Sequence, residues 1–251
     1  MPKELGWIRQ FHTPCSAASA PLVILPHAGA GASAYRTLSN RLAVEFDVVV
    51  TQYPGRQDRS REAAAATITE LAAGAFEAFR ASAHHTGRPI TVFGHSMGAI
   101  VAFEFARLAE EHGLTVRLLA ASSAAAPARI AQLPGHPTED EELLEHMVAL
   151  NGTSADVISS REVMKLALPV LKADYRAFDA YSCRSDIAIA APIQVLGGDD
   201  DAFVAVRDLY AWQAHSRAQT QLSLFSGGHF YLNDHIDAIA ELLELKTRTA
   251  A

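Results

Sequence analysis

Cysteine is scarce: the 251 residues contain only Cys15 and Cys183, with no C-x-x-C spacing. That excludes a disulfide framework and a cysteine-based metal site, and it fits a reducing compartment in which both are structural thiols. Long apolar runs are missing too. No stretch approaches the ~20 residues of a membrane span, and the opening MPKELGWIRQFH lacks the apolar core of a signal peptide. A cytoplasmic protein with no membrane segment is expected. Positive charge is also in short supply: Lys plus Arg number 21 against 28 Asp plus Glu, and the net charge of -7 provides no field that attracts nucleic acid or anionic lipid.

Nucleotide-binding motifs are incomplete. Pro26-His27-Ala28-Gly29-Ala30-Gly31-Ala32-Ser33 is glycine-rich, yet it has no Gly-Lys-Ser/Thr and no third glycine where a dinucleotide fingerprint needs one. No cofactor and no metal are expected. There is no internal repeat and no long linker, and 49% hydrophobic with 20% charged residues is ordinary globular composition. The chain is long enough for a full core and reads as a single domain, 1–251.

What is present is organised around Ile90 to Arg107, ITVFGHSMGAIVAFEFAR. Strand residues Ile90 to Phe93 run into Gly94-His95-Ser96-Met97-Gly98, and apolar residues then recur at Ile100, Phe103 and Ala106 as on a helix. Strand, sharp turn and helix form the G-x-S-x-G nucleophile elbow, which exposes a serine hydroxyl above the carboxyl end of a parallel sheet. The Met97 amide falls in the first helical turn, where unpaired N–H groups favour negative charge, so one turn supplies a nucleophile and half of an oxyanion hole. The glycine-rich loop after Pro21–Leu25 is the natural source of the other half, with the amide of Ala28 as candidate. His27 reads as a structural hydrogen-bonding residue.

Strands are expected at Pro21 to Leu25, Asp47 to Tyr53, Ile90 to Phe93, Leu114 to Ser123, Pro192 to Leu196 and Gln221 to Phe225. The first four alternate with helices, at Tyr35 to Leu42, Thr67 to Ala83 and the elbow helix, which is the pattern of a parallel sheet covered on both faces. Further helices are expected over Val204 to Ala214 and Ile236 to Leu245. Between Pro127 and Asp186 no strand appears. Helices are expected there from an N-cap at Thr138, around Arg161 to Leu171 and around Lys172 to Tyr181, so 127–186 reads as an inserted helical lid over the serine. The loop Arg56-Gln57-Asp58-Arg59-Ser60-Arg61 is either solvated or an anion contact, two readings of equal weight.

Three groups fall at the carboxyl ends of expected strands: Ser96, an aspartate among Asp199, Asp200 and Asp201, and His229. Serine needs a base to take its proton, histidine with a pKa near ~6.5 can take and return it, and an aspartate fixes the imidazole tautomer. The chain order Ser, Asp, His is that of the α/β-hydrolases.

The sequence resembles the external, type II thioesterases that accompany polyketide and nonribosomal peptide synthases. The resemblance covers essentially the whole chain. It is carried by Leu25–Gly29 with Gly31, Gln52–Arg59, Gly94–Gly98, Leu168–Tyr175 and Gly228–Leu232. It implies an α/β-hydrolase fold, a mostly parallel sheet with an inserted helical lid, and hydrolysis of acyl thioesters from the phosphopantetheine arm of carrier proteins. By resemblance Ser96 is the nucleophile, His229 the base, and Ala28 and Met97 the oxyanion donors. The family's acidic turn usually ends in aspartate-proline, whereas Ala202 follows here; the spacing from Gly198 points to Asp201, with Asp200 as rival. Carrier docking is expected at the rim, with Arg56, Arg59 and Arg61 contributing. A carboxylesterase or lipase, and an inactive hydrolase fold serving as a binding module, are the alternatives.

Overall fold

The computed structural model describes residues 6–16, 19–150 and 161–249. These form a seven-stranded sheet from β1 (Ile8–Arg9), β2 (Ala20–Leu25), β3 (Phe46–Thr51), β4 (Ile90–His95), β5 (Val116–Ser122), β6 (Ile193–Gly198) and β7 (Thr220–Phe225). The spatial order is β1-β3-β2-β4-β5-β6-β7, and every neighbouring pair is parallel except β1 with β3. The antiparallel β1 is absent from the sequence reading, because two residues carry no periodicity; only the pairing of Ile8 with Thr51 and Arg9 with Val50 makes them a strand.

The helices are α1 (Arg36–Leu42), α2 (Ile68–Arg80), α3 (Met97–Glu111), α4 (Asp140–Leu150), α5 (Arg161–Asp179), α6 (Val206–Tyr210) and α7 (Ile236–Thr249). Successive strand residues point to opposite faces. Val23 and Leu25 therefore join Phe76 of α2 and Ile100 and Phe103 of α3, whereas Leu22 and Ile24 join Leu38 and Leu42 of α1 and Ile239 and Leu243 of α7. Both faces are covered, which explains why the central strands read as unbroken apolar runs. Helix α2 starts where the Thr67 hydroxyl accepts a hydrogen bond from the Glu70 amide at 3.1 Å.

Between β5 and β6 the chain leaves the sheet for a 3₁₀ turn at Pro127–Gln132, then α4 and α5. Two expectations change here. The two helical stretches around 161–171 and 172–181 are one helix, α5, with Pro169 inside it. Proline removes one backbone donor and normally breaks a helix, but Leu168, Leu171 and Tyr175 are buried in a small cluster with Met164 and with Leu143 of α4, so packing carries the helix through. Helix α4 begins at Asp140, after Thr138, and the Glu139 carbonyl accepts from the Leu143 amide at 3.0 Å. Thr138 therefore lies outside the cap position, while Asp140, Glu141 and Glu142 occupy the first turn. The helix expected over Val204 to Ala214 is the short α6 continued by a 3₁₀ turn at Ala211–His215. No helix among the described residues is long and apolar enough to cross a membrane.

Candidate active site

Ser96 sits between β4 and α3 with φ 55° and ψ -127°, a left-handed backbone unusual for any residue but glycine. The strain is held from both sides. The Ser96 amide donates to the Ser122 carbonyl of β5 at 2.8 Å, and the Ala99 amide donates back to the Ser96 carbonyl at 2.8 Å. A Cβ on Gly94 would lie 2.1 Å from the Gly98 carbonyl oxygen, and one on Gly98 would lie 2.1 Å from the Leu25 carbonyl oxygen. Only glycine fits either position, so both elbow glycines exist for backbone approach. The Ser96 side chain makes no cap hydrogen bond to α3, which leaves the hydroxyl free for other partners.

The structure separates the three aspartates after β6. Asp201 Oδ2 lies 2.9 Å from Nδ1 of His229, and both side chains are buried. Its other oxygen, Oδ1, accepts from the amides of Phe203 at 2.9 Å and Val204 at 3.2 Å. Asp200 is exposed, and Asp199 Oδ1 accepts from the Gly227 amide at 2.9 Å, tying the acidic turn to the loop that carries His229. Burial alone would raise the Asp201 pKa; the hydrogen bond and charge of His229 and the two amides outweigh it and hold the carboxyl below its usual range. An ionised carboxylate only accepts, so Nδ1 of His229 carries the proton and Nε2 is left with the lone pair.

Ser96 and His229 both border two cavities. One of about 260 Å³ is lined by Ala28, Gly29, Phe230 and Leu171 of α5. The other, about 270 Å³, is lined by Met97, Ser123, Tyr175, Phe178 and Phe203. Ser96 therefore stands where two chambers meet. In the glycine-rich loop the Gly29 amide donates to Asp174, the Ala30 amide to the His27 carbonyl and the Ala32 amide to Gln52, while the Ala28 amide has no partner among the described residues. Met97 opens α3, where first-turn amides lack helical acceptors. Among the described residues no group of three or more His, Cys, Asp or Glu has the arrangement to hold a metal ion.

His27 is fixed by Tyr35, whose hydroxyl lies 2.7 Å from its Nδ1 and 3.2 Å from its amide. Burial pushes its pKa down to about 3, with the charges of His229 and Arg56 adding to the effect. His95, whose Nδ1 lies 2.9 Å from Ser122 Oγ, is likewise driven well below the ordinary value by burial, then by His229 and His27. Both are therefore neutral in the folded protein at neutral pH. Their folded pKa values are depressed, so the unfolded chain takes up protons first as pH falls through ~6.5, and stability is lost from there downwards at up to ~1.4 kcal/mol per pH unit for each histidine. Asp201 titrates lower and does not contribute in this window. We expect the urea midpoint to drop clearly between pH 7.5 and pH 5; equal midpoints would contradict the neutral, buried histidines.

The arginine loop corrects an expectation. Arg56 and Arg59 are buried and already paired, so neither waits at the rim for a carrier, and of the three only Arg61 is exposed. Arg59 binds Glu62 at 2.5 Å and lies over the Trp7 ring. Arg56 spans to α5, with Nη1 2.6 Å from Asp174 Oδ2 and Nη2 2.8 Å from Asp174 Oδ1. Asp174 enters the sequence analysis only as part of the Leu168–Tyr175 segment that carries the resemblance, since no spacing rule links two residues 118 positions apart.

A doubly wound, mostly parallel sheet with a strained serine elbow at the carboxyl end of a central strand is an α/β-hydrolase. The profile of the thioesterase domain matches residues 20–247, and the chain belongs to the thioesterase family. It is similar to the solved type II thioesterase BorB from the borrelidin biosynthetic cluster, with 40% identity, a TM-score of 0.86 and coverage of 96% of this chain and 97% of that one. Thioesterase PikA5 of Streptomyces venezuelae is 37% identical over 91% of this chain and 80% of its own length. Phenyloxazoline synthase MbtB of Mycobacterium tuberculosis is 45% identical over 96% of this chain, which spans only 17% of that protein. The resemblance to type II thioesterases of synthase pathways thus holds over nearly the whole chain.

Proposed function

We propose that this thioesterase hydrolyses acyl groups from the phosphopantetheine arm of carrier proteins in polyketide or nonribosomal peptide biosynthesis. The observation that carries the proposal is the position of Ser96 at the junction of two cavities, both of them also lined by a histidine whose Nδ1 is held by a buried aspartate. A thioester has an acyl side and a long thiol side, and two chambers meeting at the nucleophile give each its own space. The Ser96 hydroxyl attacks the carbonyl, His229 Nε2 takes its proton, and Asp201 stabilises the resulting imidazolium. The amides of Ala28 and Met97 receive the oxyanion. Collapse expels the pantetheine thiol with the proton from His229, and water, activated by the same nitrogen, releases the acyl group from the serine.

The segment 127–186 acts as a lid in this reading, inserted in a single hydrolase domain, since side chains of α4 and α5 wall both cavities. Contacts with the carrier then add binding energy remote from the reacting carbonyl. The test is kcat/KM for one acyl group offered on a carrier, on free pantetheine and as an oxygen ester. We expect the carrier-bound thioester to lead by about tenfold or more, as remote binding energy predicts. Equal values on all three would move the assignment to a general esterase.

A further inference from the structure

The buried pair Arg56–Asp174 does more than bury two charges, and its geometry ties the inserted helix to the loop behind the oxyanion hole. Asp174 Oδ2 accepts from the Gly29 amide at 2.7 Å as well as from Arg56 Nη1 at 2.6 Å, while Oδ1 takes Arg56 Nη2 at 2.8 Å. Arg56 also donates to the Ala30 carbonyl at 3.3 Å. Leu171, one turn earlier on α5, packs over Gly29 so closely that a Cβ there would lie 3.1 Å from its Cδ1. Both ends of the pair are inaccessible, at 4% and 1% exposure. Gly29 is therefore fastened to α5 and Ala30 to the loop after β3, and the neighbouring Ala28 amide has no partner among the described residues.

We propose that Arg56 and Asp174 are positioning residues for the oxyanion hole, so that the hole is assembled only when α5 is seated on the glycine-rich loop. The inference rests on the proposed function, in which Ser96 is the nucleophile and Ala28 an oxyanion donor. Two physical effects act together. The bidentate fork fixes the carboxylate in one plane, and through it the orientation of the neighbouring peptide. The guanidinium also neutralises a carboxylate that would otherwise stand one residue from the developing oxyanion and oppose it.

The full-length chain carrying Arg56→Met/Asp174→Leu tests this, because replacing a buried ion pair by apolar side chains commonly preserves the fold. Three quantities are read: the thermal midpoint, kcat and KM on an acyl-pantetheine thioester, and inhibition by the matching trifluoromethyl ketone, which forms an anionic adduct with serine. Loss of oxyanion-hole alignment lowers kcat about 10- to 100-fold with KM within about threefold, and weakens the ketone in parallel. A folded double variant with kcat and ketone affinity within about threefold of the parent, or with the loss confined to KM, overturns the proposal. Should that variant not fold, Arg56→Lys decides: it keeps the charge and loses the fork, and an unchanged kcat in it is equally fatal. Failure here leaves Ser96→Ala inactive, whereas failure of the underlying reading leaves Ser96→Ala active.

Discussion

Replacing Ser96 by alanine is expected to leave a folded protein whose thioester turnover is lowered ~10⁴- to 10⁶-fold, the usual cost of losing a triad nucleophile. The fold should survive because the hydroxyl does not cap α3; the elbow is held by backbone bonds to Ser122 and Ala99 and by the close approach of Gly98 to β2. Alanine meets the same left-handed backbone as serine, so little strain is added. Catalysis should collapse because, among the described residues, Ser96 is the one serine or threonine that lines both cavities. Initial rates with far-UV circular dichroism as the folding control make the measurement. A folded variant within about 100-fold of the parent would mean that another group carries the acyl chain.

The second large effect is expected for Asp201→Asn, and the local hydrogen bonds say why. The amides of Phe203 and Val204 both donate to Oδ1, so an asparagine would place its oxygen there and its NH₂ in the position of Oδ2, 2.9 Å from His229 Nδ1. Nδ1 would have to accept, the ring proton would move to Nε2, and the nitrogen needed as base would be occupied. A fall in kcat on the order of 10⁴ follows for a histidine held in the wrong tautomer. Asp200→Asn serves as control, since this side chain is exposed and its residue contributes only an amide, donated to the Gly227 carbonyl at 3.0 Å. Comparable losses in both variants would show that the acidic turn acts as a unit instead of through one carboxylate.

Much of this architecture is legible in the residues themselves. The elbow announces itself because its chemistry is local: glycines two positions either side of Ser96, a strand before and a helix after. The sheet is legible because strands buried on both faces become apolar runs. What escapes the sequence is set by contacts distant along the chain. The run of three aspartates offers a spacing argument only, and the choice in the structure comes from two backbone amides and a histidine 28 residues away. The break expected between Leu171 and Lys172 is not present, because Leu168, Leu171 and Tyr175 are buried together and packing carries α5 through. The arginines read as a polar loop because charge patterning sees neither Asp174 nor the Trp7 ring. The segments Gln52–Arg59 and Leu168–Tyr175, read only as marks of resemblance, touch each other at Arg56 and Asp174.

The central claim is that Ser96 carries the acyl group between release from the thiol and attack by water. Its most direct test is mass spectrometry of the Ser96 peptide after rapid acid quench of the protein mixed with an acyl-loaded carrier. The account predicts an increment equal to the acyl group on that peptide, formed within the first turnover, decaying as free acid appears, and absent from Ser96→Ala. Release of free acid at the full rate with the Ser96 peptide unmodified throughout the time course would contradict it.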